Sequence, residues 1–489
     1  MRIALHWFRR DLRLADNTAL DAAARHADLV VPLFVLDERL LHAPDIGAPR
    51  VAFLLDSLRS LAHDLERAGS RLLVRRGDPV REVIAAARAL GARAIFANDD
   101  YGPYGQRRDA AVRDAAQAHG IAWHGHKDLV LVEPTECVKD DGTPYSVFTP
   151  YARRWRAVEK TPPLPRPALR AIPDTLWRTA KGVALPPGPE ALGLTLEARI
   201  EPGGAAQAEA CLAEFVATHL LDYRSARDFP ALDATSHLSP HLKFGTISPR
   251  TVYAAVAEAI GPGLAALDPQ KPGRALEPAA ALRLREAGTF LNEICWRDFY
   301  QAILFHFPRV ASAPFQKGFA GFAWPEQNME LIAAWRDGRT GFPIVDAAMR
   351  QLAGTGWMHN RLRMVVAMFL TKTMLVDYRV GERIFMQRLV DGDLAANNGG
   401  WQWSASTGTD AAPYFRIFNP LAQAKKFDPD GDFVRRFVAE LREVPGALVH
   451  EPSREPLLLA QTGYPPPCVD YAANRARALE LLAPRARHA

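Results

Sequence analysis

The sequence predicts an α/β domain built on a parallel sheet, followed by an all-helical domain. Three observations carry this. Short apolar runs alternate with helical spacings through the first 130 residues, eight prolines crowd the stretch from Thr161 to Pro189, and beyond about residue 205 the β-branched runs give way to long helical patterns. A strand, helix, strand rhythm needs crossover connections, and therefore a parallel sheet covered on both faces.

Five segments read as buried strands: IALHWF from Ile3, LVVPLFVL from Leu29, RLLV from Arg71, AIFA from Ala94 and DLVLV from Asp128. Between them Val51, Leu54, Leu55, Leu58, Leu61 and Leu65 recur at helical spacing, and Val80 to Leu90 repeats the pattern. The loop after the first strand reads FRRDLR, so the glycine fingerprint of ordinary dinucleotide binding is absent. The proline-rich stretch can continue neither strand nor helix and reads as a surface linker. The expected boundaries are an α/β domain over 1–132, a linker over 133–204 and a helical domain over 205–489. In that last region AEACLAEFVATHLL, RTVYAAVAEAI and LRMVVAMFLTKTML read as helices. Six of the ten tryptophans fall between Trp296 and Trp403, more than a helical core needs.

Composition bounds the function classes. At 489 residues, with 48% hydrophobic and 24% charged residues, the chain is long enough for several domains and far from a disordered composition. Lys+Arg 60 against Asp+Glu 55 gives a net charge of +5, which permits an anionic partner without requiring one. Cys137, Cys211, Cys295 and Cys468 lie far apart with no C-x-x-C pair, the usage of a reducing compartment. The apolar run after Arg2 is too short for a signal-peptide core and no 18-residue apolar run follows, so a cytoplasmic protein without membrane contact is expected.

Three clusters carry candidate chemistry. In Thr235-Ser236-His237-Leu238-Ser239-Pro240, Ser239 reads as an N-cap and Pro240 as the first helical residue. Free amides there, with the hydroxyls of Thr235, Ser236 and Ser239, suit a pyrophosphate, although caps without ligands are far commoner. In FLNEICWRDFY, Glu293, Trp296 and Arg297 share one helical face, which suits either a wet cleft for an aromatic ring or an ordinary half-buried helix. The third cluster joins GWMHNRLRM to DGDLAANNGGWQW, with Asn360 and Met364 an i, i+4 pair. Asp391 and Asp393 lack the further oxygen ligands a calcium loop needs, so no metal is expected. Asn397, Asn398, Gly399 and Gly400 read as a turn. It would place Trp401 and Trp403 as two exposed rings beside Arg416, a stacking platform for bases with charge for phosphate.

At this length the motifs are recognisable. HWFRRDLRLADNTAL, TSHLSP, FLNEICWRDFY, TGFPIVDAAMRQLAGTGWMHNRLRM and DGDLAANNGGWQWSASTGTDAAPYFRIFNP together resemble the photolyase and cryptochrome family, most closely its class I cyclobutane pyrimidine dimer photolyases. The resemblance implies a Rossmann-like antenna-type domain, a long linker and a helical domain holding FAD. It implies that Tyr223, Thr235, Ser236, Leu238 and Ser239, with His237 among them, hold the FAD phosphates and ribityl chain. Asp391 and Asp393 would face the flavin and adenine side, Arg363 would pair with Asp391, and Asn397 would approach flavin N5. A neutral amide there suits an anionic reduced flavin, which a carboxylate would repel.

The repair pocket implied is Glu293, Trp296, Asn360, Met364 and Trp403, with Arg227, Arg361 and Arg416 on phosphates. The implied reaction is electron donation from light-excited, reduced FAD to a pyrimidine dimer flipped out of damaged DNA. An electron relay would run through Trp401, Tyr378 and Trp324, with tyrosine replacing the family's middle tryptophan. At the position where folate-type antennas have a glutamate the sequence reads Gly105, so a deazaflavin, a folate, a second flavin or an empty antenna pocket stay open. A monomer is expected. The alternatives are a cryptochrome-like light receptor, against which Asn397 and the Asn360 and Met364 pair count, and a six-four photolyase, which typically carries histidines around the place of Asn360.

Overall fold

The computed structural model describes residues 1–261, 277–325, 327–410 and 415–487. By backbone contacts the chain forms two compact units, the first comprising 1–196, 201–221 and 236–308 and the second 197–200, 222–235 and 309–489. This division follows packing, whereas the expected boundaries at 132 and 204 follow changes in sequence character.

The first unit holds a five-stranded sheet of β1 (Ile3–Phe8), β2 (Leu29–Asp37), β3 (Leu73–Gly77), β4 (Ala94–Asn98) and β5 (Ala122–His126), in the order β3-β2-β1-β4-β5. Every pairing is parallel, with Ile3 opposite Leu29 and Ala4 opposite both Val30 and Ala94. β1 and β2 are buried along almost their whole length, which is why they read as continuous apolar runs. The helix Ala48–Arg67 turns Val51, Leu55, Leu58, Leu61 and Leu65 inward. The helix Pro79–Leu90 starts on Asp78, whose carboxylate accepts from Arg81 N at 3.2 Å, and stops at Gly91 in the left-handed region, φ 65°.

One expected strand is corrected. Asp128–Val132 lies outside the sheet, and the fifth strand is AWHGH, an edge strand of mixed exposure with no apolar run to betray it. DLVLV is apolar because it is buried, yet its amides find another partner. Leu131 N and Val132 N donate to the Asp298 carboxylate at 2.9 and 3.2 Å, and Trp155 Nε1 donates to it at 2.9 Å. Asp128 in turn receives Arg13 and Arg250, each at 2.7 Å, so the motif after β1 serves a buried ion network.

The expected linker is irregular through most of its proline-rich stretch, as the prolines require, but carries two α-helices, Phe148–Ala157 and the shorter Asp174–Thr179. The first unit also contains the 29-residue helix Pro278–His306. The second unit is helical around a core including Trp335, Met349, Val366, Phe385 and Trp401. The expected helix from Leu362 is shorter than its pattern: an α-helix covers Asn360–Met368, a π-helical turn follows at Phe369–Thr373, and Leu375 takes a left-handed φ of 58°. Among the described residues no helix is long and apolar enough to cross a membrane, and no group of side chains could hold a metal ion.

Candidate active site

In the second unit two helices carry most of the expected residues. Asn360–Met368 begins on His359, whose Nδ1 accepts from Arg361 N at 3.2 Å. Burial pulls that imidazole down to about 4. Asn360 is exposed and Met364 half-buried. Arg363 forks onto Asp391, Nη2 to Oδ2 at 2.8 Å and Nη1 to Oδ1 at 3.2 Å, while its Nε donates to Met358 O at 2.8 Å.

The second helix, Leu394–Ala405, corrects two expectations. Asn397, Asn398, Gly399 and Gly400 form no turn; they lie inside this helix. Asp393 is its N-cap, Oδ1 accepting from Ala395 N at 3.0 Å, and the two asparagines spend their amides on tertiary partners. Asn397 Nδ2 donates to Glu382 O at 2.9 Å and Asn398 Nδ2 to Glu382 Oε1 at 3.0 Å, which outweighs their preference for turns. Trp401 and Trp403 are therefore not a matched exposed pair. Trp401 is 2% exposed and packs on Gly381, where an added Cβ would lie 2.1 Å from its ring, while Trp403 stays half-buried.

The basic residues expected on phosphate are already organised by acids and aromatic faces. Arg361 Nη2 meets Asp228 Oδ1 at 2.7 Å and its guanidinium lies 4.5 Å from the centre of Phe427. Arg227 approaches Asp228 at 3.9 Å and covers Tyr223 at 5.2 Å. Arg416 is half-buried, its carbonyl accepting from Lys372 Nζ at 2.7 Å. Tyr378 is 1% exposed, and burial raises its phenol pKa. Trp324 is half-buried, edge-on to Phe322 at 5.2 Å.

In the first unit the Ser239 expectation is corrected. Ser239 is the first helical residue of a six-residue helix, its N-cap is Leu238, and no side chain caps it. The preceding His237 takes a left-handed φ of 50°, and Ser236 Oγ accepts from Leu238 N at 3.4 Å. Glu293 and Trp296 lie one turn apart on Pro278–His306 and are half-buried. Arg297 is committed to structure, donating to Leu129 O at 2.6 Å and Leu242 O at 3.1 Å.

Sequence reasoning missed Phe148, whose ring lies 3.6 Å from that of Trp296 and parallel within 5°. Tyr300 adds a tilted contact to Trp296 at 5.5 Å. Phe148 heads a helix, Phe148–Ala157, where an aromatic reads as core filling; the aromatic run FTPYARRW was the available signal. The result is a stacked Phe148–Trp296 pair with Tyr300 tilted against it, one helical turn from Glu293, an arrangement that can receive a flat ring and hydrogen-bond its polar edge.

The sheet order puts its reversal between β1 and β4, the place where α/β sheets bind ligands. Here Arg9, Arg10, Asn98, Asp99 and Asp100 line the crevice, and burial pushes Asp99 up to about 6. An added Cβ at Gly105 would lie 2.4 Å from Asp100 Cγ, so no larger side chain fits at that position without displacing Asp100. For FAD the donor set fits: Thr235 Oγ1 is buried with no hydrogen-bond partner among the described residues, and the Arg363–Asp391 fork offers both charges.

The family model for DNA photolyase matches residues 4–168, and that for the FAD binding domain of DNA photolyase matches residues 290–483. A deoxyribodipyrimidine photo-lyase of Synechococcus is 42% identical over 473 residues, covering 96% of this chain and 93% of its own. Among solved structures, a bacterial class III photolyase from Agrobacterium tumefaciens superposes with a TM-score of 0.82 at 35% identity, over 98% of this chain and 97% of its own. An archaeal photolyase from Sulfolobus tokodaii, described with two FAD molecules, gives 0.80 at 32% identity, over 98% and 99%. With a FAD-binding domain of the photolyase type and full-length photo-lyase relatives, the chain is an enzyme of the photolyase and cryptochrome family.

Proposed function

We propose that this enzyme is a class I photolyase that repairs cyclobutane pyrimidine dimers in DNA under light. The observation that carries the reading is the stacked Phe148–Trp296 pair, with Tyr300 tilted against it, one helical turn from Glu293. FAD would be held by Tyr223, Thr235, Ser236, His237, Leu238, Ser239, Arg363, Asp391, Asp393 and Asn397; reduced and excited by light, it supplies the electron that opens the cyclobutane ring.

The chain's own residues do the rest. Arg227, Arg361 and Arg416 hold phosphates of the damaged strand, which fixes the register of the duplex. Trp296 and Trp403 cradle a dimer that stacks and pairs poorly and so leaves the helix at less cost than normal bases. Glu293 hydrogen-bonds the pyrimidine carbonyl edge, and Asn360 and Met364 shape the pocket around the ring. Trp401, Tyr378 and Trp324 serve a separate task, reduction of the cofactor before repair. The antenna crevice between β1 and β4 supports a second chromophore, a deazaflavin, folate or flavin.

The protein is read as a monomer of the cytoplasm, and its four free cysteines are the usage of a reducing compartment. The test is repair of a thymine-dimer oligonucleotide by the reduced holoenzyme in blue light. Wild type should restore the intact strand, and Glu293→Ala should lower repair yield more than binding. Binding without repair by wild type would favour a light receptor instead.

A further inference from the structure

The second unit holds a cavity of 280 Å³ where the helices Pro343–Thr355, Pro420–Phe427 and Tyr471–Arg487 begin beside the chain at His450. Its size lies near the lower end for small-molecule sites, with room for one or two rings. Phe342, Ile344, Leu421 and Tyr471 give it apolar walls, and its polar lining includes His450, Glu451 and Asp470. None of its lining residues is among those proposed for FAD, DNA, the electron relay or the antenna crevice.

One wall holds an unspent acceptor. His450 is 4% exposed, and its Nε2 lies 3.3 Å from Pro429 O. A carbonyl only accepts, so Nε2 carries the hydrogen and in the neutral ring Nδ1 keeps a lone pair. That Nδ1 is buried with no hydrogen-bond partner among the described residues, an arrangement proteins rarely leave without a use.

The sign of the charge follows from the lining. Glu451 is half-buried and Asp470 exposed, and neither lysine nor arginine lines the cavity. Arg454, itself exposed, reaches Glu451 Oε2 at 2.6 Å, whereas the Asp470 charge meets only backbone amides. Three helix starts would ordinarily favour an anion, but here their amides are spent. Asn419 Oδ1 accepts from Ala422 N at 3.0 Å, and Asp470 Oδ1 from Ala472 N and Ala473 N at 2.8 and 3.0 Å. Phe342 O takes Val345 N and Asp346 N at 2.9 and 3.0 Å, and Pro343 has no N–H to offer. The cavity therefore favours a donor-bearing cation over an anion.

We propose that this cavity binds a small aromatic cation bearing N–H groups, with its ring between the apolar walls, one N–H on His450 Nδ1 and its charge beside Asp470 and Glu451. The site is independent of the repair reading.

The probe is benzamidine, with benzoate as the anion of the same shape, each titrated into the FAD-loaded enzyme and followed by saturation-transfer NMR. Benzamidine should bind saturably and severalfold more tightly than benzoate, without altering flavin absorbance. Asp470→Asn keeps the helix cap and removes the charge, so the preference for benzamidine should shrink severalfold. His450→Phe should weaken binding by about threefold to tenfold. Leu421→Trp fills the cavity from a half-buried position and should abolish binding while the variant still loads FAD. The proposal is overturned by no saturable binding of benzamidine, by equal binding of benzoate, by a preference unchanged in Asp470→Asn, or by binding that Leu421→Trp leaves intact.

Discussion

Trp401 meets Trp335 edge to face, ring centres 6.0 Å apart and planes at 72°. Its other aromatic neighbour is Phe385 at 4.9 Å, whereas Tyr378 makes no ring contact with it. On the proposed relay, an electron hole on Trp401 therefore has an indole in ring contact, which the proposed middle residue Tyr378 does not offer. Trp335 is fully buried with Nε1 donating to Val366 O at 3.1 Å, and Tyr378 is a buried phenol whose pKa is raised, so losing a proton on oxidation is costly. Trp335→Phe should slow photoreduction of oxidised FAD severalfold, and more than Tyr378→Phe does. Tyr378→Trp should speed it, while repair by enzyme reduced beforehand should hardly change in any of them. Transient absorption decides: equal kinetics in Trp335→Phe and wild type would remove this branch.

The Phe148 ring covers one face of Trp296 and so fixes the plane of the indole that is proposed to meet a flipped base. An aromatic pair of this kind contributes about 0.5–1.5 kcal/mol. Phe148→Ala should weaken dimer-containing DNA severalfold while leaving undamaged duplex nearly unchanged, and Phe148→Tyr should restore the ratio. Competition binding with the two duplexes measures it. A parallel loss on both would mean that the stack is only a scaffold.

Why Phe148 escaped sequence reasoning, while Trp296 did not, shows where legibility stops. Burial on both faces wrote β1 and β2 into the chain as apolar runs, and the caps Asp78 and Gly91 mark the ends of the helix Pro79–Leu90 as local rules require. DLVLV carried the same apolar signature without being a strand, because Asp298, 167 positions from Leu131, accepts the amides that a ladder would otherwise pair. The N-N-G-G segment is helical for the same kind of reason, its amides held by Glu382. Local patterns record burial and propensity, and they are silent about a partner distant in sequence.

Asp228 faces both Arg361, at 2.7 Å, and Arg227, at 3.9 Å. On the proposed role of these arginines it competes with phosphate for the same guanidinium groups, while Phe427 keeps the Arg361 head in place without it. A half-exposed pair of this kind is worth at most about 1 kcal/mol, so fold stability should barely change on its loss. Asp228→Asn should bind DNA severalfold more tightly at low salt, with the gain vanishing as salt screens it. In filter binding across a salt series, an unchanged or weaker affinity would mean that Asp228 orients Arg361 for phosphate instead.

His359 links the site to stability. Its Nδ1 must be unprotonated to accept from Arg361 N at 3.2 Å, and its Nε2 is buried with no hydrogen-bond partner among the described residues. Burial, the largest cause, pulls the folded pKa from the ordinary 6.5 to about 4. Between those values the unfolded chain binds the proton and the folded one does not, so the contribution is full above about 6.5 and is lost as pH falls toward 4. Protonation also removes the cap from the helix that carries Asn360, Arg361, Arg363 and Met364. Urea unfolding should show lower stability at pH 5 than at pH 7.5. His359→Asn, which still caps but does not titrate in this range, should be less stable at neutral pH through lost packing and should show a shallower acid slope. If wild type and His359→Asn lose stability in parallel from pH 7.5 to 5, the acid sensitivity belongs to other groups, with the buried His241, held at about 4, the next to substitute.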